Sequence, residues 1–213
     1  VKTEMLKIID SKKLPALLGG DHSTPLGFME ALADRHKSFG ILQIDAHCDL
    51  RNAFEGFTYS HASIMYNALQ IKQVERLVQV GIRDYCEEEM KLIESSNNRV
   101  ITFFDADLKN FSYNGMTWQK QCELIVKQLP QKVYISFDID GLLPNLCPNT
   151  GTPVPGGLEF QQAVYLLNAV VESGRKIIGF DLNEVAPGKD EWDANVGARM
   201  LFCLCHLILK GKV

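Results

Sequence analysis

The run Ile41-Leu42-Gln43-Ile44-Asp45-Ala46-His47-Cys48-Asp49 begins as an apolar stretch and ends with an acid or an imidazole at every second position. Successive side chains of an extended backbone point to opposite faces, so this reading puts Asp45, His47 and Asp49 on one side, where a strand runs out. Carboxylates held that close raise one another's pKa, and a bound cation relieves the repulsion. Cys48 falls on the other face, where the role of a small buried apolar residue suits it.

The pattern recurs. Val133-Tyr134-Ile135-Ser136-Phe137-Asp138-Ile139-Asp140-Gly141 again delivers two carboxylates two apart, and Gly19-Gly20-Asp21-His22 places an imidazole in a turn after an earlier strand. Six groups, His22, Asp45, His47, Asp49, Asp138 and Asp140, thus arrive from the ends of three strands. That is more than one tetrahedral zinc site uses, and it suits two cations sharing carboxylates. Carboxylate and imidazole donors without thiolate favour a metal of moderate hardness such as manganese, two Mn2+ per chain. Four aspartates carry about −4 and two divalent ions about +4, which balances the site.

Outward from these runs, apolar β-rich segments alternate with amphipathic ones. Strands are predicted at Leu14 to Leu18, Ile41 to Ile44, Leu77 to Val80, Val100 to Phe104, Val133 to Phe137 and Lys176 to Phe180. A helix starting at Ser23-Thr24-Pro25 carries Leu26, Met29, Leu32 and His36 on one stripe, and His36 is expected at the surface. Further helices are predicted near Ala62 to Gln70, Tyr85 to Glu94, Met116 to Leu129, Glu159 to Glu172 and Asp193 to Leu209, the last including His206. Such alternation predicts an α/β fold, three-layer α/β/α with a mostly parallel sheet. The loops Leu50 to Ser60 and Gly141 to Gly157 each follow a carboxylate-bearing strand, where open α/β sheets bind their ligands.

The chain has 213 residues, 46% of them hydrophobic, and a net charge of −4. That fits one domain over residues 1–213 with a full core. Without a Lys/Arg run, neither nucleic acid nor an anionic membrane is an expected partner, and no apolar run reaches the ~18 residues of a spanning helix. The expected location is cytoplasmic. The cysteines Cys48, Cys86, Cys122, Cys147, Cys203 and Cys205 form no C-x-x-C pair, which favours reduced thiols.

Five motifs in order carry a resemblance: Gly19-Gly20-Asp21-His22-Ser23, Asp45-Ala46-His47-Cys48-Asp49, Ser136-Phe137-Asp138-Ile139-Asp140-Gly141, the run Asn149 to Gly157 (NTGTPVPGG), and Asp181-Leu182-Asn183-Glu184-Val185-Ala186-Pro187. From Leu18 to about Arg199 the chain resembles the arginase and agmatinase family, the ureohydrolases. The resemblance implies an arginase-like fold and a binuclear manganese cluster, with Asp45 and Asp138 bridging. One metal would take His22, Asp45, Asp49 and Asp138, and the other Asp45, His47, Asp138 and Asp140. It also implies hydrolysis of a guanidino C–N bond to urea and an amine, with Asp140, His61 and Glu184 as catalytic residues. His61 would shuttle a proton, a task suited to an imidazole of pKa ~6.5, and Glu184 would pair with the substrate guanidinium. Gly141 and the Gly151-Thr152-Pro153 turn resemble the loop that closes round the site. Asp21 and Ser23 are candidates to orient His22, and capping of the following helix explains Ser23 equally well.

Family members generally form trimers or hexamers, so a homo-oligomer is expected. The chain is shorter than the family's usual length and is expected to lack the family's leading strand, either as a fragment of a longer protein or through loss of a sheet edge.

The substrate is read from the departures. Arginases carry an asparagine where this chain has Arg51, which weakens the arginine reading, whereas Asp49-Leu50-Arg51 and Ser60-His61-Ala62 are similar to agmatinase-like members. Agmatine, yielding putrescine and urea in polyamine metabolism, comes first. An inward Arg51 would favour a distal carboxylate instead; otherwise it would meet Glu55 or solvent. The alternatives are a formimidoylglutamase, an arginase, a guanidino-acid hydrolase and a metal-binding pseudoenzyme.

Overall fold

The computed structural model of the protein describes residues 1–210. Six strands, β1 (Ala16–Leu18), β2 (Phe39–Ile44), β3 (Val74–Ile82), β4 (Val100–Phe104), β5 (Lys132–Asp138) and β6 (Lys176–Asn183), form one sheet in the order β1-β6-β5-β2-β3-β4. Every pairing is parallel. The helices are α1 (Lys2–Asp10), α2 (Leu26–Ala33), α3 (Ile64–Gln70), α4 (Glu87–Ser95), α5 (Asp105–Tyr113), α6 (Trp118–Gln128), α7 (Phe160–Glu172) and α8 (Trp192–Lys210). The chain has the predicted α/β arrangement.

The strands alternate between two cores, as the period of two requires. Ile41, Leu77 and Tyr134 pack with Met5, Phe28, Met29, Ile64 and Met65 beneath α1 to α4. Leu42, Ile44, Val78, Val80, Ile135 and Phe137 pack with Leu108, Ile125, Leu166 and Met200 beneath α5 to α8. All six residues of β2 are buried, which is why Phe39-Gly40-Ile41-Leu42 reads as a nearly unbroken apolar run.

Helix α5 is absent from the sequence reading. It begins on the residue after β4 with no intervening loop, and Leu108 and Asp105 are its buried positions, so neither a turn signal nor a strong apolar stripe marks it. Helix α2 ends at Ala33, so His36 lies beyond the predicted stripe. His36 is half-buried rather than at the open surface, with Nδ1 3.3 Å from Lys132 Nζ. No helix among the described residues is long and apolar enough to cross a membrane.

The long loop after β5 is tied down at both ends. Leu142 and Leu158 pair as an isolated parallel bridge. The Arg83 guanidinium donates to the backbone oxygens of Gly81, Asp140, Leu142 and Val154.

Candidate metal centre

The six predicted residues come together at the carboxyl edge of the sheet, because β1, β6, β5 and β2 are successive neighbours. Strand alternation is not what brings them there. β2 ends at Ile44, and Asp45 to Asp49 form an irregular turn in which Asp49 adopts the left-handed region, φ +55°. Asp and Asn tolerate that region better than most residues. Asp138 is the last residue of β5, and Asp140 sits in a single 3-10 turn over Ile139–Gly141 whose backbone N–H donates to Asp138 Oδ1 at 2.9 Å. The acidic turns are stitched together: His47 N donates to Asp45 Oδ1 at 2.6 Å and Ala46 N to Asp140 Oδ1 at 3.0 Å.

His22 follows β1 and is buried. Ser136 Oγ donates to Asp181 Oδ1 at 3.1 Å, so it accepts from His22 Nε2 at 2.9 Å. In the neutral ring, the form a cation would bind, that leaves Nδ1 as the acceptor nitrogen, and it has no hydrogen-bond partner. Around it stand Asp45 Oδ2 at 3.2 Å, Asp49 Oδ2 at 3.1 Å and Asp138 Oδ2 at 3.2 Å. Lone pairs converging on one small volume fit a divalent cation. His47 Nδ1 lies 3.1 Å from Asp140 Oδ2 and 3.5 Å from Asp45 Oδ1. Two sets of donors are compact enough to share an ion, His22 with Asp45 and Asp138, and Asp45 with His47 and Asp140. Asp45 belongs to both; Asp138 belongs to the first.

The same crowding moves protons. Burial disfavours a charged His22, yet the carboxylates of Asp138, Asp45 and Asp49 outweigh it and hold its pKa well above the ordinary value. Burial likewise opposes charge on His47, but Asp140 and Asp45 raise its pKa to about 11. Burial and the neighbouring Asp45 charge push Asp49 up to about 7, and Asp140 up as well. Asp138 rises far above the carboxylate range through burial and the charges of Asp140 and Asp45. For Asp45, burial is overcome by His22 and His47, which lower it. A bound cation would displace such protons.

A pocket of about 270 Å³ opens over this cluster, and His61, Glu184, Gly151 and Thr152 line it. His61 opens the 3-10 turn His61–Ser63, its Nδ1 3.4 Å from Asp21 Oδ2 and its ring edge-on to Phe54. Glu184 follows β6 at φ +62°, and its Oε1 accepts from His22 N at 2.8 Å. Burial raises its pKa, offset in part by that N–H. Asp21 also accepts from Ser23 N through Oδ1, so it caps its own turn while facing His61.

Arg51 lines the pocket with its side chain still 39% exposed, and its acidic neighbour is Glu89 and not Glu55. Its Nε lies 3.9 Å from Glu89 Oε2, and its guanidinium covers the Phe54 ring. The sequence reading passed over Glu89, which is buried and accepts from Leu50 N and Cys86 N. It also passed over Arg83 and Gln43, whose Nε2 donates to Asp45 Oδ2 at 2.8 Å. Their signal was present: Glu89 and Gln43 are polar residues at positions the apolar pattern assigns to a buried face.

Comparison with known proteins agrees with this geometry. The chain is 36% identical over 212 residues to an N(1)-aminopropylagmatine ureohydrolase of Thermus thermophilus, an alignment covering 99% of this chain and 67% of the relative. Among solved structures, proclavaminate amidino hydrolase from Streptomyces clavuligerus superposes with a TM-score of 0.84 at 25% identity, covering 99% of this chain and 69% of that one. The agmatine ureohydrolase of Thermoplasma volcanium superposes with a TM-score of 0.81 at 28% identity, covering 98% of this chain and 67% of that one. The chain spans about two thirds of the length of these relatives. The arginase family model matches residues 1–206, and with the relatives' similarity running the length of the chain, the protein belongs to the arginase family.

Proposed function

We propose that this chain is a manganese-dependent ureohydrolase, hydrolysing a guanidino compound that carries a distal amine, with agmatine or an aminopropyl derivative of it as the substrate. The observation that carries the reading is the pair of donor sets sharing Asp45 at the floor of a pocket whose wall holds Glu184 and His61. His22, Asp45, Asp49 and Asp138 would hold one ion, and Asp45, His47, Asp138 and Asp140 the other. When bound, two divalent cations neutralise the carboxylates and lower the pKa of water in the pocket toward neutrality.

The chain's own groups do the rest. The Glu184 carboxylate pairs with the planar guanidinium and fixes its carbon above the ligand cluster, which converts binding into orientation. Water oxygen bonds to that carbon, the C–N bond to the amine breaks, and the amine leaves as it takes a proton. Asp21 engages His61 Nδ1, which leaves Nε2 as the nitrogen that hands the proton over.

Charge at the mouth supports the distal amine. Asp21 and Asp84 are exposed there, and the one Arg or Lys lining the pocket among the described residues, Arg51, is paired with Glu89. The names of the Thermus thermophilus and Thermoplasma volcanium relatives agree with such a substrate. A second reading, a guanidino acid whose distal carboxylate displaces Glu89 from Arg51, is favoured by the inward position of that arginine.

Urea release by the manganese-loaded protein tests both against agmatine, aminopropylagmatine, guanidinobutyrate and arginine, with formamide release from formiminoglutamate measured alongside. The amines are expected to be turned over fastest. Preference for guanidinobutyrate selects the second reading. Manganese binding with no turnover of any compound leaves a metal-holding binding protein and overturns the enzymatic reading.

A further inference from the structure

One layer beneath the acidic turns, the sheet carries a polar row across four neighbouring strands. Gln43 of β2 stands in register with Gln79 of β3 and with Ser136 of β5, and Gln79 stands in register with Thr102 of β4. Gln43 and Gln79 have no exposed surface. Buried amides in an otherwise apolar strand destabilise the fold unless every polar atom finds a partner, so their placement calls for a reason.

Their partners supply it. Gln43 Nε2 donates to Asp45 Oδ2 at 2.8 Å and to the His47 carbonyl at 3.2 Å. Gln79 Nε2 donates to Gln43 Oε1 at 2.6 Å and to the Cys48 carbonyl at 2.7 Å, while Thr102 Oγ1 donates to Gln79 Oε1 at 2.8 Å. The amide orientations follow from chemistry. Cys48 O, His47 O and the Asp45 carboxylate only accept, so each must meet an N–H, and flipping either amide would set oxygen against oxygen. The two side chains therefore clamp one carboxylate oxygen and two consecutive carbonyls of the turn that bears Asp45, His47 and Asp49.

We infer that Gln43 and Gln79 are positioning residues of the metal centre: braced by Thr102, they set the Asp45 to Asp49 turn at the height where its donors meet His22, Asp138 and Asp140. The inference rests on the metal reading proposed above. That turn lies beyond the end of β2, tied to the main chain by the isolated His47–Asp84 bridge and by the Arg83 and Asp84 N–H groups on Ala46 O, and groups that orient metal ligands from behind are worth ~10 to 100-fold in metal affinity.

The test is calorimetric titration of Mn2+ into metal-free wild type, Gln43→Met, Gln79→Met and the double variant, with a thermal melt of each metal-free protein. Val78→Ala, on β3 but facing the opposite core, serves as a control for lost stability. Wild type is expected to take up two ions, each Met variant to bind at least one of them ~10-fold or more weakly, and Val78→Ala to bind as wild type. Because Gln79 acts through Gln43 on Asp45, the double variant is expected to lose less than the two singles combined. Should Gln79→Met fail to fold, Thr102→Val removes one hydroxyl from the half-buried end of the row and is expected to weaken binding several-fold. Wild-type uptake with undiminished affinity in the glutamine variants, or an equal loss in Val78→Ala, overturns the positioning role alone. No Mn2+ uptake by wild type overturns the metal reading and this inference with it.

Discussion

The backbone of Gly141 lies directly against that of Asp45: a Cβ at position 141 would stand 2.7 Å from Asp45 N and 2.9 Å from the carbonyl carbon of Ile44. The obstacle is the Ile44–Asp45 peptide unit, with Ile44 Cγ2 also at 2.9 Å, so rotating a side chain cannot clear it. Gly141→Ala must therefore push the Asp138 to Asp140 segment away from the Asp45 turn. Overpacking of this kind costs ~1–3 kcal/mol, measurable by urea denaturation of the metal-free protein, and manganese affinity is expected to fall ~10-fold in parallel. Wild-type manganese binding in this variant would mean that the two turns move independently.

Asp45 and Glu184 are expected to separate holding the metal from using it. Asp45 belongs to both donor sets, whereas Glu184 touches the cluster only by accepting the His22 N–H. Manganese at 100 times its Kd raises the stability of a protein that binds it by ~2.7 kcal/mol, seen as a higher Tm that a chelator reverses. Asp45→Asn is expected to lose that rise. Glu184→Gln retains an acceptor for His22, so it should keep the rise while urea production drops ~100-fold. A Glu184→Gln enzyme of normal turnover would remove Glu184 from substrate positioning.

Asp84 is exposed at the pocket mouth, its Oδ2 3.8 Å from His47 Nε2. An exposed carboxylate attracts a distant cation weakly and is screened by salt. Asp84→Asn is expected to raise KM for agmatine a few-fold at low ionic strength and to leave KM for guanidinobutyrate unchanged or lower. The difference should shrink in 0.5 M salt. Equal changes for both compounds would show that Asp84 acts on the His47 side of the site and not on substrate charge.

His36 gives the fold an acid-sensitive contact away from the pocket. Burial lowers its pKa, and the charges of Lys132 and Lys176 lower it further. Neutral Nδ1 can accept from Lys132 Nζ; the imidazolium cannot. With the folded pKa below the unfolded one, the folded state binds fewer protons, so this contribution is whole above about pH 6.5 and is lost as pH falls below it. His36→Asn is expected to show a smaller drop in Tm between pH 7 and pH 5 than wild type. Identical drops would assign the acid sensitivity to other groups.

Much of the molecule was legible along the chain. Strand-length apolar runs alternating with amphipathic stretches specify two buried faces and hence helices on both sides of a parallel sheet, and all six strands lie where that pattern puts them. The same runs end in Asp45, Asp138 and, one turn after β1, His22, which is why the candidate ligands could be named before their positions were known. The motif order also carried the family.

What the chain's local patterns did not contain is how those ends meet. Asp45 and Asp138 are neighbours because β2 pairs with β5, a contact between segments far apart in sequence that no local periodicity encodes. The turn after β2 leaves the extended conformation, and its shape depends on Gln43 and Gln79, whose amides look like misplaced polar residues until β3 lies beside β2. Arg51 turned to Glu89 for the same reason: the partner sits on α4, and only folding brings it within reach. Side-chain chemistry and the burial it demands are properties of the sequence; which donors share a cation is a property of strand order, because electrostatics acts through space and not along the chain.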